Sequence, residues 1–245
     1  MIANRKSFAL GCVLAAGFLL VLGVIFAPVF GNGMNGLEYA DDVFNKLSKG
    51  SSYFIPKVVQ GNRKVVGTRF AVVVKMPAPE QAERAAILLA GAGAEVDRRD
   101  ATLSIAGDLG QLLGHILGDA EAGYRNDDAA LAHRYGMAGK TVLATWWQVL
   151  RHTGKALASE RKSAEADAVI AVMKKAIEPA HNYYGIEAEN VASMAAIMIA
   201  LLLFYVLYTI WWGSAIFFLF EGFGLMMRKA PARAAAPVLQ ALQKS

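Results

Sequence analysis

The chain reads as an α+β membrane protein, in which two transmembrane helices flank an extracytoplasmic domain built from a β-α-β-β-α unit followed by long helices. Three observations predict this class. Apolar residues make up 56% of the 245 residues and charged ones only 18%, an excess over an average soluble domain. That excess is gathered in two uncharged runs, Phe8 to Phe30 and Val191 to Phe220, each longer than the roughly 20 residues a bilayer-spanning helix needs. Between them, residues 69–123 alternate strand-like and helix-like apolar spacing.

Residues 1–7 are expected to be a cytoplasmic tail and 8–30 the first transmembrane helix. A cleaved signal peptide is the competing reading, with Arg5 and Lys6 as its basic start. The run exceeds the usual signal core of about 7 to 15 residues, and Ala27-Pro28-Val29 is a poor cleavage site, so a retained anchor is the expectation. Cys12, in Ala9-Leu10-Gly11-Cys12, loosely matches a lipoprotein acylation site, but the apolar run continues well past it. As the single cysteine it excludes an intramolecular disulfide.

The formal charge of +5 does not point to nucleic acid. Residues 31–190 hold nineteen Lys/Arg and nineteen Asp/Glu, so the excess lies at Arg5 and Lys6 and at Arg228, Lys229, Arg233 and Lys244. By the positive-inside rule both termini are cytoplasmic and residues 31–190 extracytoplasmic, in a bacterial inner membrane.

Residues 31–68 read as a linker, a short helix and a candidate hairpin. Asn35 is placed to cap a helix over Leu37 to Ser48, with Leu37, Ala40, Phe44 and Leu47 as its apolar face and Gly50 as its stop. Ser51 to Pro56 reads as extended, and Gly61-Asn62 as the centre of a hairpin over Lys57 to Val66. Phe70 to Met76 is a strand apolar on nearly both faces, hence central in its sheet. Pro79 opens a helix with Ala82, Ala86, Leu89 and Ala90 inward, and Gly91 and Gly93 stop it. Ala94, Val96, Ala101, Leu103 and Ile105 alternate around a charged turn, which makes a hairpin. A second helix from Leu109 puts Leu109, Leu112, Leu113, Ile116 and Leu117 on one stripe.

The resulting order over 69–123 looks like half of a ferredoxin-like fold. With its Gly-Ala-Glu-Val turn (Gly93 to Val96) it is similar to the ring-building modules of secretion-system and flagellar basal-body ring proteins. The resemblance covers about fifty residues, and it implies a fold rather than an activity. Residues 124–180 are expected to be a helical stalk or hairpin, with Leu143, Trp147, Leu150, Leu157, Ala164, Ala168 and Val172 as an approximate heptad that Gly154 and Arg161 interrupt.

The second transmembrane helix is expected over 191–220, its bilayer-core part ending near 212, with a basic cytoplasmic tail over 221–245. Tyr183-Tyr184 and Trp211-Trp212 are twenty-eight residues apart, about 42 Å on a continuous helix, which matches opposite aromatic belts at the membrane interfaces. His181 to Tyr184 is then a membrane-surface collar. Gly11 and Ala15 in the first span, and Ala192, Ala196 and Ala200 in the second, are small residues at four-residue spacing that suit close helix packing.

Motifs for catalysis or cofactors are weak. Gly31-Asn-Gly-Met-Asn-Gly36 has dinucleotide-motif lettering but follows a membrane run instead of a strand. Gly139-Lys140-Thr141 has the end of a phosphate-binding loop, but Arg134 stands where its first glycine belongs, so a helix start is expected. His115, His133, His152 and His181 lack metal-ligand spacing, so no metal, catalytic or cofactor residue is assigned; a haem shared with a partner is left open. Asp41-Asp42 and Asp127-Asp128 read as caps or solvated pairs. The expected function is that of a non-enzymatic accessory, scaffold or assembly subunit of an envelope complex. Its partners are membrane lipid and other membrane or envelope proteins, including a homo-oligomer, and not nucleic acid. The alternative is an extracytoplasmic ligand sensor signalling through a separate transducer.

Overall fold

Asn4 opens the first helix by accepting the backbone N–H groups of Lys6 and Ser7, and α1 (Arg5–Phe26) runs until Pro28 forces Ala27 into an extended conformation. The computed structural model describes residues 2–225. Met1 and residues 226–245, which include Arg228, Lys229, Arg233 and Lys244 of the expected tail, lie outside the described residues. The chain is a mixed helix-strand protein that divides into two compact units, Met1–Ala40 with Ala196–Ser245, and Asp41–Ala195.

The first unit is dominated by α1 and by the long helix that closes the described chain, Val191–Gly222. The two are long and apolar enough to cross a membrane, and almost none of either is buried inside the protein. They lie antiparallel: Phe8 meets Phe223, Gly11 meets Leu219, Trp211 Nε1 donates to the Leu14 carbonyl at 3.0 Å, and Phe18 stacks on Tyr208 at 4.1 Å. A Cβ at Gly11 would lie 2.7 Å from the Leu219 backbone nitrogen, so only glycine allows this approach. The second helix is unbroken through Gly213 and Ser214 to Gly222. Its 32 residues span about 48 Å, more than a hydrocarbon core of about 30 Å.

Asn35 caps α2 (Gly36–Ser51) as expected, accepting the Leu37 and Glu38 N–H groups while Glu38 accepts its own, a reciprocal capping box. The buried face differs from the expected one: Val43 and Leu47 are buried, whereas Leu37 and Phe44 are more than half exposed. Gly50 does not stop the helix, which runs on to Ser51.

The hairpin expected over 57–66 is a helix, α3 (Ile55–Asn62), followed by a 3₁₀ turn over Arg63–Val65. Pro56 supplies the N-terminal signal, and Ile55, Val58 and Asn62 are buried at helical spacing, which outweighs the Gly-Asn turn signal.

The β-α-β-β-α order is present as β1 (Arg69–Lys75), α4 (Pro79–Gly91), β2 (Glu95–Arg99), β3 (Thr102–Asp108) and α5 (Leu109–Tyr124). The sheet order is β1-β3-β2, with β3 antiparallel to both neighbours; Val72 pairs with Ile105, and Val96 pairs with the same residue from the other side. β1 is therefore an edge strand, not the central one expected. Phe70, Val72 and Val74 are buried while Ala71, Val73 and Lys75 are exposed, so its run of valines fills two unlike faces. α4 buries Ala82, Ala85, Leu88 and Leu89; Ala90, expected inward, is exposed. α5 buries the whole expected leucine stripe.

Beyond α5 the chain is helical: α6 (Asp128–Tyr135), α7 (Gly139–Ser159), α8 (Ser163–Val172), a π turn (Met173–Ile177) and α9 (Glu178–Asn182). α7 and α8 pack as a pair, yet they share one core with the sheet instead of standing apart as a stalk: Trp146, Leu150, Leu157 and Val169 belong to the same buried cluster as Phe70, Leu88 and Ile116. In the expected heptad, Trp147 is half-buried and Ala164 exposed. Trp146 takes the inner position on α7, and Ala166 and Val169 take it on α8, where the α7–α8 turn has reset the phase. The long helix Val191–Gly222 is α10.

Candidate functional site

The π turn has a chemical cause. Pro179 has no N–H to give to the Lys175 carbonyl, and the helix widens by one residue just before it, with Glu178 N–H bonding to the Met173 carbonyl. The wider turn re-phases α9, so that Glu178, His181 and Asn182 face α7. On α7 the matching stripe is Thr141, Ala144, Thr145 and Gln148, spaced for one helical face, with Trp147 beside it.

Between these stripes lie two adjoining depressions that share Ala144, Gln148 and His181. One, of about 290 Å³, also takes in Arg84 from α4 and Lys140, Thr141 and Thr145 from α7; the other, of about 390 Å³, takes in Trp147, Glu178 and Asn182. Glu178 accepts a hydrogen bond from Trp147 Nε1 at 2.9 Å, and the Arg151 guanidinium lies 5.1 Å from the same indole. No ion pair among the described residues involves Arg84 or Lys140. Gln148 Oε1 is buried without a hydrogen-bond partner among the described residues.

Two other polar centres are fully satisfied and read as structural. Asp119 is completely buried on α5, and it accepts from Arg134, from Tyr135 Oη at 2.5 Å and from Trp146 Nε1 at 2.8 Å. Because the Tyr135 hydroxyl proton goes to Asp119, His115 Nε2 must be the donor in its 2.7 Å contact with Tyr135 Oη. Burial, then Asp119, push the Tyr135 hydroxyl well above the usual tyrosine range. Lys49, buried at the end of α2, gives its ammonium to Asn126 Oδ1 and to the carbonyls of Tyr183 and Ile186, and it lies over the Tyr124 ring. Its pKa is pushed down by burial, with Glu187 opposing.

The four aromatic residues expected as interface belts are placed differently from one another. Gly185 has φ +81°, α9 ends at Asn182 and α10 begins only at Val191, so the 42 Å count along one continuous helix does not hold. Tyr184 donates to Asp128 and packs on the core of its unit, and Tyr183 offers its carbonyl to Lys49. Trp211 bonds to α1, and Trp212 stacks on Phe18 at 4.5 Å. Of the small residues, Gly11 is buried and Ala15 half-buried, while Ala192, Ala196 and Ala200 are exposed.

Asp127 caps α6 by accepting the Ala130 N–H, and Asp128 accepts the Gly139 N–H at the start of α7. Gly139-Lys140-Thr141 is a helix start, as expected. The part that Lys140 and Thr141 play in lining the groove was not legible, since Arg84 stands 56 residues before Lys140 and His181 41 residues after it. Among the described residues no group of three His, Cys, Asp or Glu side chains is gathered as a metal site. Comparisons with protein-family models, curated proteins and solved structures find no match to this chain.

Proposed function

We propose that this chain is a two-pass protein of a bacterial inner membrane, with both termini cytoplasmic and residues 31–190 outside. In this reading it serves as an accessory, scaffold or assembly subunit of an envelope complex. Its partners would be membrane lipid and other membrane or envelope proteins, including further copies of itself. The observation that carries the reading is the outer face of α10. α1 and α10 pack on each other through Gly11, Trp211 and Phe18, and this leaves Ala192, Ala196 and Ala200 uncovered on a helix too apolar to face water. Small residues at that spacing let a further helix approach closely in lipid. The β1-β3-β2 sheet, with β3 antiparallel to both neighbours, supports a half ferredoxin-like unit lacking its fourth strand.

Isolation from native membranes in mild detergent tests this reading. The expected result is a complex larger than the monomer that is lost in Ala196→Leu/Ala200→Leu; a monomer under every extraction condition would sink it. The second reading, a ligand sensor working through a separate transducer, is favoured by the polar groove between α4, α7 and α9, whose cations lack ion-pair partners among the described residues.

A further inference from the structure

We propose that the groove lined by Arg84, Lys140, Thr141, Thr145, Gln148 and His181 is a binding site for a phosphate group. Three cationizable side chains from three different helices converge on one depression of about 290 Å³. Such convergence is unfavourable in the empty protein, because like charges gathered on one concave surface repel each other. A protein that gains nothing from it would place a carboxylate among them. Here no acidic residue lines the depression; Glu178, in the adjoining one, accepts from Trp147, and Asp128 holds the Gly139 N–H and the Tyr184 hydroxyl.

A second, independent observation points to a ligand. Gln148 Oε1 is buried with no partner among the described residues, and because the side chain lines both depressions, a half-turn of its amide would bring that oxygen to the groove, where a donor can reach it. A phosphate group offers both halves of what the groove lacks. Its charged oxygens take N–H donors from Arg84, Lys140 and His181, and its own hydroxyl, or one on the molecule that carries it, donates to Gln148. Arginine suits tetrahedral oxyanions because its planar fork donates two parallel bonds. Thr141 is exposed and its hydroxyl makes no side-chain hydrogen bond among the described residues, which leaves its proton for a ligand; Thr145 spends its proton on the Thr141 carbonyl and can only accept. Lys140 and Thr141 lie in the first turn of α7, whose positive end adds to the field. The adjoining 390 Å³ depression, floored by Trp147, leaves room for the body of a phosphate-bearing molecule larger than the inorganic ion.

This inference stands apart from the partner reading, since the groove and the α10 face share no residue. The test uses the full chain in uncharged dodecyl maltoside micelles, titrated with inorganic phosphate and followed by calorimetry, against Arg84→Gln/Lys140→Gln. The expected result is saturable binding that weakens by about tenfold or more per cation removed. Unchanged circular dichroism would show that the double variant is folded. A Gln148→Leu variant, which removes the acceptor but no charge, should favour sulfate, which has no proton to donate near neutral pH, relative to phosphate. A second arm uses nanodiscs of phosphatidylglycerol or phosphatidylcholine. Displacement of phosphate by phosphatidylglycerol alone identifies a lipid headgroup as the source, and no displacement by either identifies a soluble phosphate compound. No saturable binding of phosphate or of phosphatidylglycerol, or equal binding by the double variant, overturns the proposal.

Discussion

Replacing Asp119 by alanine should loosen the core of the folded unit more than any other single polar change. The Asp119 carboxylate is fully buried and takes three donors. Removing it leaves the Tyr135 hydroxyl and Trp146 Nε1 facing a void, at about 1–3 kcal/mol for each stranded donor. Arg134, with its side chain 42% exposed, turns to water and adds little. The sum for the two donors is roughly 2 to 6 kcal/mol. Hydrogen exchange on the full chain in micelles, read on peptides from α5 and α7, should then speed up by about two to three orders of magnitude. Arg134→Lys provides the comparison, since it keeps a cation at the part-exposed rim beside the buried carboxylate and should cost only about 1 kcal/mol. If Asp119→Ala exchanges within a few-fold of the parent chain, or if Arg134→Lys is the more damaging of the two, the assignment of Asp119 as the hub is wrong.

Further outcomes follow from the same contacts. Tyr184→Phe should raise the pKa of Asp128, which the Tyr184 hydroxyl and then the Gly139 N–H hold below the usual carboxylate range; carboxyl NMR titration would read the change. In the parent chain Asp128 contributes stability that is present above its ordinary value near 3.8 and lost as pH falls through its lowered value, so Tyr184→Phe should shift that loss to higher pH. Lys49→Met should strand the Tyr183 and Ile186 carbonyls and Asn126, costing about 2 to 4 kcal/mol by exchange protection of the 183–190 segment. Because burial depresses the Lys49 pKa, the parent chain should also gain stability as pH rises from that lowered value towards 10.5, and Lys49→Met should lack this gain. Gly11→Val should separate α1 from α10, whereas Ala196→Leu, on an exposed position, should leave that pair intact; disulfide trapping between Phe8→Cys and Phe223→Cys in a Cys12→Ser background distinguishes the two.

Local signals in the sequence carried much of the fold. The Asn35 cap, the Pro79 helix start, the alternation over Ala94 to Ile105 and the leucine stripe of α5 all depend on residues within a few positions of one another, and all four are present. The errors came where a local signal met a distant constraint. Gly61-Asn62 has turn chemistry, but Pro56 and the burial of Ile55 and Val58 made it the end of a helix. The valines of β1 suggested a strand covered on both sides, whereas Val73 is 65% exposed on an edge strand. Tyr183-Tyr184 sat at the right distance from Trp211-Trp212 only if the helix continued, and Gly185 turns the chain instead. The groove was hidden for a different reason. Arg84, Lys140 and His181 are separated by 40 residues and more in the chain, and their convergence depends on a π turn that Pro179 marks but whose new phase cannot be read from spacing.

Membrane topology is the most direct test of the account. In a Cys12→Ser background, single cysteines at exposed Ala3 and Ser159 would be challenged with a membrane-impermeant maleimide on intact spheroplasts. The account predicts labelling of Ser159→Cys at once and of Ala3→Cys only after the membrane is opened. Labelling of Ala3→Cys on intact spheroplasts with Ser159→Cys protected would reverse the orientation, and equal labelling of both would contradict a chain that crosses the membrane between them.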